Sequence, residues 1–592
     1  METLSVPQAM QHALLACQRG EWAHAERLCR LVLDVQADHY EALYVLGIIA
    51  GRAGRAQDAA DLMARALSVN PASPDAHYNR GVALGELKRT SEALDSYDRA
   101  IALKPGYADA HYNRGNALYE LERHSEALRA YERALAIEPG YAEAHNNRGI
   151  VLNHLGSHAE ALESYQQAIA LRPDYASAWN HRGVALLELN RLEEALASHD
   201  RAIAINPDYV EAFSNRGNVL IDLDRAAEAL SCLERAVALK PDHAEAWYNR
   251  GNALRELHRH GEAVASYERA LALRPDYAAA HWNLADCCLL LGDFARGWEE
   301  YEWRWKLPQR EQRRRDFVQP PWRRGQPAAG KTVLLHSELG LGDTLLFCRY
   351  AGEVAKLGAK VVLEVQPSLL TLLADLEGVT EILPRGAPLP AFDSHCPLLS
   401  LPLAFKTDLS NIPAVMPYVH SDPARVAAWR ERLGPKTRPR VGLVWSGSAA
   451  LKNDKRSMAL AEMLPLLANV RVEWISLQKD VPAADMGLLA SRADLRHVGD
   501  ELNDFAATAA VVELMDLVVT VDTSVANLAG AMGKPVWILL PFNPHDWRWM
   551  LDREDSPWYP TARLFRQPAP GDWAGVVRRV AEELARRFDK VH

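Results

Sequence analysis

The tripeptide Asn-Arg-Gly, once His-Arg-Gly, returns through the first half of the chain with its glycine at Gly81, Gly115, Gly149, Gly183, Gly217 and Gly251, each 34 residues after the last. A single globular core has no reason to present the same tripeptide at a fixed interval, whereas stacked copies of one small unit must. Prolines keep step at Pro71, Pro105, Pro139, Pro173, Pro207, Pro241 and Pro275, and alanines at Ala93, Ala127, Ala161, Ala195 and Ala229. Each unit reads as a helix, a short turn, a second helix and a proline that stops it. Glycine and alanine hold the positions where two helices cross closely. Phasing on the glycines gives units 40–73, 74–107, 108–141, 142–175, 176–209, 210–243 and 244–277, with degenerate units 6–39 and 278–311 at the ends.

This period and pattern resemble the tetratricopeptide repeat, which implies an all-α right-handed superhelix with a concave groove. Two residues before each glycine stands an asparagine, at Asn79, Asn113, Asn147, Asn215 and Asn249, with Asn283 beyond them and His181 as the substitution. A ladder of amides has two readings. It can hold an extended peptide backbone by donating and accepting together, or it can pair with neighbouring repeats and sustain the superhelix. In this arrangement the repeats resemble those of O-linked N-acetylglucosamine transferase, which implies a protein or peptide partner in the groove.

A chain of 592 residues exceeds one core. Its formal net charge of −10 argues against coating nucleic acid or an anionic membrane, since such binding needs a basic face. The basic run Arg310 to Arg315, with Arg323 and Arg324, reads as a solvated linker. Seven cysteines without CxxC or Cys/His ligand spacing point to a reducing compartment and no structural zinc. No run approaches the roughly 18 apolar residues of a membrane span, and the segment before Cys17 lacks a basic n-region, so the cytoplasm is the expected location.

The helical period disappears between Lys306 and Lys331, where prolines and arginines gather, and strands then alternate with helices. Strands are expected at Thr332–His336, Lys360–Val365, Thr380–Leu383, Arg440–Trp445, Val472–Leu477, Leu517–Thr520 and Val536–Leu540. Alternation of this kind predicts parallel sheets covered by helices, and the new start at Arg440 predicts two of them, with a ligand at their carboxyl ends. The polar residues lie there. Gly340-Leu341-Gly342 turns the chain after the first strand, and Asp343 stands at the helix that follows, either as an N-cap or as a base aimed into the cleft. After Arg440–Trp445 come Ser446, Gly447 and a cationic stretch, Lys452, Asn453, Lys455, Arg456 and Ser457, suited to a diphosphate. Gln478 offers an amide to a base or ribose edge. Asp522, Thr523, Ser524 and Asn527 open a helix whose N–H groups could collect an anion.

Carried by Gly340-Leu341-Gly342-Asp343, Gly442 to Gly447, Asn453-Asp454 with Arg456-Ser457, and Asp522-Thr523-Ser524 before Leu528-Ala529-Gly530, the second half resembles GT-B glycosyltransferases of the heptosyltransferase type. Asp546-Trp547-Arg548-Trp549 and Ser556-Pro557-Trp558-Tyr559-Pro560 are similar to members fused to tetratricopeptide repeats. The resemblance implies an α/β GT-B domain of two Rossmann-like halves and inverting, metal-independent transfer of a sugar from a nucleotide-diphosphate donor. No cofactor is implied beyond that co-substrate. Asp343 would be the base, with Glu338 in reserve, and Lys455 or Arg456 would hold the diphosphate. The family pattern carries a histidine where Asn527 stands here. The expected division is 1–305 repeats, 306–330 linker, 331–430 acceptor half and 431–592 donor half. The competing reading is a catalytically silent repeat scaffold for protein interaction.

Overall fold

The computed structural model describes residues 4–311, 314–323, 325–447, 454–468, 471–543 and 546–588. The chain folds as two compact units, Met1–Asn249 and Arg250–His592.

In the first unit, helices of 13 and 14 residues alternate, as in Pro74–Glu86 with Thr90–Leu103 and Ala142–His154 with His158–Leu171. The degenerate first unit of the sequence is itself a hairpin, Val6–Gln18 and Trp22–Val35. The turn inside each hairpin needs one left-handed residue, which is Gly20, Gly54 or Gly156 in some copies and Lys88, Glu122, Asn190 or Asp224 in others, with φ between +57° and +78°. The repeated glycine makes room for a side chain on the second helix, a ring in most copies and Leu233 opposite Gly217. A Cβ on Gly81 would lie 2.6 Å from Tyr97, and on Gly149 2.5 Å from Tyr165. The prolines also act as acceptors. His77 Nε2 meets Pro71 O at 3.1 Å, His145 Nε2 meets Pro139 O at 3.0 Å, and Trp179 Nε1 donates to Pro173 O at 3.0 Å. A ring nitrogen on the next repeat thus partners the carbonyl of the proline that follows the stopped helix.

The second unit holds two wholly parallel sheets. The smaller has order β3-β2-β1-β4, with β1 Thr332–His336, β2 Lys360–Val365, β3 Val379–Pro384 and β4 Ser394–Pro397. The larger has order β10-β9-β8-β5-β6-β7, with β5 Arg440–Val444, β6 Glu473–Ser476, β7 Leu495–His497, β8 Leu517–Val521, β9 Val536–Leu540 and β10 Ala562–Arg566. Strands β1, β2, β5, β6, β8 and β9 are almost entirely buried, and each carries adjacent apolar residues, as a sheet covered on both faces requires. Three strands had no forecast: β4, β7 and β10, all at sheet edges. Their sequences, Ser-His-Cys-Pro, Leu-Arg-His and Ala-Arg-Leu-Phe-Arg, mix polar and apolar side chains because an edge is covered on fewer sides.

The 34-residue period was expected to run to about residue 305, whereas compact packing divides the chain after Asn249. The reason lies in one core. Trp298 and Tyr301 are buried in the same cluster as Phe347 and Trp558, and Trp298 Nε1 donates to Thr407 O at 2.9 Å. The proline-rich stretch is likewise tied down, since Trp322 N–H donates to His395 O at 2.6 Å and Pro321 bridges to His395 beside β4. Among the described residues, no helix is long and apolar enough to cross a membrane.

Candidate functional site

A cleft of about 650 Å³ opens where the carboxyl ends of the two sheets meet. Gly340, Gly342 and Asp343 line it after β1; Ser446 and Gly447 after β5; Gln478 after β6; Asp522, Thr523, Ser524 and Asn527 after β8. Arg456 enters from a loop and Arg548 from the short 3-10 helix Trp547–Trp549. Most of the residues singled out in the α/β half therefore converge on one cavity. The walls approach closely at Gly342, since a Cβ there would stand 2.8 Å from Asn527 Nδ2.

Asp343 braces its helix start from inside the helix and not as the N-cap. It occupies the third position of the helix Leu341–Phe347, with Gly340 as N-cap, and its Oδ2 accepts the Gly340 N–H at 2.8 Å. Its Oδ1 pairs with Arg548. One oxygen thus braces the turn while the other faces the cleft's cation. Glu338, the reserve base, is corrected by its surroundings. It does not line the cleft, is buried against Arg304 at 3.0 Å and accepts the Leu399 N–H at 3.3 Å. Burial raises its pKa, with Arg304 opposing.

Gln478 lines the cleft, but its amide is spent. Its Oε1 accepts from Trp445 N and Ser446 N at 3.1 Å each, and its Nε2 donates to Ser446 O at 3.0 Å and Asp480 O at 2.9 Å. An amide has two donor hydrogens and two acceptor sites, so all four are used and none remains to read a base edge. Gln478 is instead the clasp that joins the β5 and β6 loops. Ser457 likewise shapes rather than lines the cavity, accepting Gly447 N–H at 2.8 Å and donating to Asp454 Oδ2 at 2.7 Å. Arg456 lines it, with Nε held 2.8 Å from Asp454 Oδ1. Lys455 stands 4.0 Å from Glu256 and is not among the lining residues. Lys452 and Asn453 lie outside the described residues.

Thr523 is the N-cap of the helix Ser524–Ala531 without bonding its N–H groups, because its hydroxyl meets Thr520 Oγ1 at 3.0 Å. The first N–H groups of that helix are thereby left to the cleft. Asn527 is buried, donating to Thr523 O at 3.1 Å and accepting from Tyr559 OH at 3.0 Å. Asp522 is buried too. Burial first, then the nearby Asp546, pushes its pKa up to about 7, against the pull of Arg456 and Arg548.

Sequence reasoning assigned no role to Asp546, Arg548, Asn503, Asp504, Phe505 or Thr508, all of which contribute to the lining. Asp546 accepts the Arg548 N–H at 3.0 Å and also pairs with its guanidinium. The signal was present in the unusual run Asp546-Trp547-Arg548-Trp549. Two opposite charges alternating with two tryptophans are out of place on a solvated loop.

The asparagine ladder is turned largely inward. Asn79, Asn113 and Asn147 donate Nδ2 to Tyr44, Tyr78 and Tyr112 hydroxyls at 3.1–3.2 Å, and Asn215 and Asn249 donate to Asn180 Oδ1 and Ser214 Oγ at 3.1 Å. Each partner lies 35 residues earlier, on the preceding repeat. His181 keeps the rule with Asn146 Oδ1 at 2.9 Å. In the second unit Asn283 donates to Asn252 Oδ1 at 2.8 Å. The rungs join repeat to repeat, so the sustaining role is present at every one.

Profiles of the tetratricopeptide repeat match residues 10–68, 44–108, 112–175, 158–210 and 244–277, and a TPR repeat profile matches 217–258. Tetratricopeptide repeats run across the N-terminal region, followed by a region of parallel sheets. Protein FlbA of Caulobacter vibrioides (strain ATCC 19089 / CIP 103742 / CB 15) is 28% identical over 329 residues, 51% of this chain and 54% of FlbA. The chain thus spans about half the length of that relative. Among solved structures, YrrB, a TPR protein with an unusual peptide-binding site, is 27% identical over 32% of this chain and 96% of its own, with a TM-score of 0.28. TTC0263, a thermophilic TPR protein in Thermus thermophilus, is 28% identical over 31% of this chain and 99% of its own, with a TM-score of 0.28.

Proposed function

We propose that the chain is a glycosyltransferase of GT-B architecture that moves a sugar from a nucleotide-diphosphate donor to an acceptor, with its repeats serving a protein or peptide partner. We take 331–430 as the acceptor half and 431–592 as the donor half. The observation that carries the reading is the convergence of Asp343, Arg456 and the Ser524 helix start on one cleft between two parallel sheets. Parallel sheets bind ligands at their carboxyl ends, and here both sheets offer such ends to one space. Asp343 takes the proton of the acceptor hydroxyl, whose oxygen forms the new bond to the anomeric carbon. The bond from that carbon to the diphosphate breaks, and the electron pair leaves with the nucleotide. Arg456 and the uncapped N–H groups after Thr523 stabilise the departing charge. Asn527 and Gln478 brace the walls.

A thermal-shift panel of nucleotide diphosphates and their sugars tests this. A ligand present at 100 times its dissociation constant stabilises by about 2.7 kcal/mol, so a true donor shifts the transition clearly. No shift from any member would leave the second reading, an interaction scaffold, which the run of repeats across residues 10–277 favours on its own.

A further inference from the structure

Both guanidiniums of the cleft are held by carboxylates. Arg456 lies on Asp454, while Arg548 bridges Asp343 and Asp546. The two cases differ. Asp454 and Arg456 sit two residues apart on one loop, so their pair is local. Asp343 follows β1 of the small sheet and Arg548 follows β9 of the large one, so their pair spans the cleft itself. Arg548 is nearly buried, and its Nε has no hydrogen-bond partner among the described residues in spite of that. A buried donor left unpaired is costly, and a guanidinium with a free edge is a poor final resting arrangement. Asp522 adds a third carboxyl group close to the same guanidinium.

We propose that Arg548 is a positioning residue exchanged between two anions: Asp343 holds it in the structure described here, and the diphosphate of the donor takes it over, releasing Asp343 Oδ1 to act as base. The inference rests on the glycosyltransferase reading of the cleft. A guanidinium presents its donors in a flat fork that matches phosphate and carboxylate equally, so the exchange replaces one charge-assisted pair by another. Asp343 stays oriented throughout, because its other oxygen keeps the Gly340 N–H. Proton abstraction is thereby tied to occupancy by the donor. The acceptor hydroxyl gives its proton to Asp343, its oxygen bonds to the anomeric carbon, and the departing diphosphate leaves with the bonding electrons, its charge already facing Arg548.

Inorganic pyrophosphate binding to the full chain, measured by calorimetry, distinguishes exchange from a fixed structural pair. Arg548→Gln should weaken binding by about 10-fold or more, as loss of a charge-assisted contact does. Asp343→Asn should tighten it about 3- to 10-fold, since the competitor for Arg548 and a like charge are both removed. Asp546→Asn should tighten it in the same direction. In Asp343→Asn with Arg548→Gln, the part of that gain owed to the freed Arg548 should vanish, leaving only the smaller part owed to the lost like charge. A purely structural pair would lower the melting temperature in all variants and leave pyrophosphate affinity unmoved, which overturns the proposal. Should Arg548→Gln fail to fold, the two aspartate variants decide alone, because tightening is not an effect of damage. Affinity that depends on Arg456 but not on Arg548 or Asp343 overturns the exchange and leaves the donor cleft standing. No pyrophosphate binding by the unaltered chain overturns both.

Discussion

The repeat array and the cleft present the same residue types under opposite conditions. In the array each position is written several times, so its role is read from what all copies share. In the cleft each residue occurs once. The ladder asparagines look like a binding device, yet every rung is a strut between neighbouring repeats, from Asn79 to Tyr44 through Asn249 to Ser214. Asp546 and Arg548, which repeat nothing, turn out to line the cavity. Periodicity identifies what holds a fold together, and the functional question belongs to the residues that interrupt a pattern.

The sharpest way to break this contrast is at Trp298, a repeat residue that lies in the α/β core. Trp298→Ala should cost the second unit about 3–5 kcal/mol, measured by chemical denaturation. A cost below about 1 kcal/mol would return Trp298 to the array and detach the last repeats from that core.

Next comes pH. The folded pKa of Asp522 is pushed up to about 7, whereas an unfolded aspartate titrates near about 3.9. Between those values the folded state binds the extra proton, so stability should fall as pH rises from about 4 to about 7, with a slope of up to about 1.4 kcal/mol per pH unit. Asp522→Asn should flatten that part of the curve. An unchanged profile would show that Asp522 does not titrate in this window.

Arg456→Ala should weaken nucleotide-diphosphate binding by about 1.5–3 kcal/mol without loss of fold, read by calorimetry. In the array, Gly149→Ala forces a methyl group against Tyr165 and should destabilise by about 1–3 kcal/mol in thermal unfolding. Smallest is Asn147→Ala, which removes hydrogen bonds to Tyr112 and Asn116 and should cost about 1 kcal/mol. Loss of peptide binding with unchanged stability would sharpen the comparison in the other direction and make the ladder a recognition surface.

Much of this was legible in the sequence. The repeats, their phase and the buried strands β1, β2, β5, β6, β8 and β9 follow from period and from continuous apolar runs. Three of the four edge strands were not, because β4, β7 and β10 have no continuous apolar run to announce them, whereas the fourth, β3, was expected at Thr380–Leu383. In the cleft, the turns after β1, β5 and β8 could be placed from glycine and small polar residues. What the sequence could not convey is who is already occupied. Gln478 looks like a reader of ligands until its four hydrogen bonds are counted, and Glu338 looks like a base until Arg304 is found against it. Apart from the Asp480 bond, those pairings join residues 32 to 34 positions apart and depend on the closed fold.

The rungs have one more consequence, for the order in which the first unit melts. Because each rung reaches only to the repeat before it, the array behaves as a zipper with no long-range fastening of its own, and opening should spread from the end rather than strike the middle. The hairpin Val6–Gln18 with Trp22–Val35 precedes the first rung, at Asn79 to Tyr44. Amide exchange should be fastest there and slow progressively along the helices from Pro74 onward, a gradient set by neighbour count rather than by local composition.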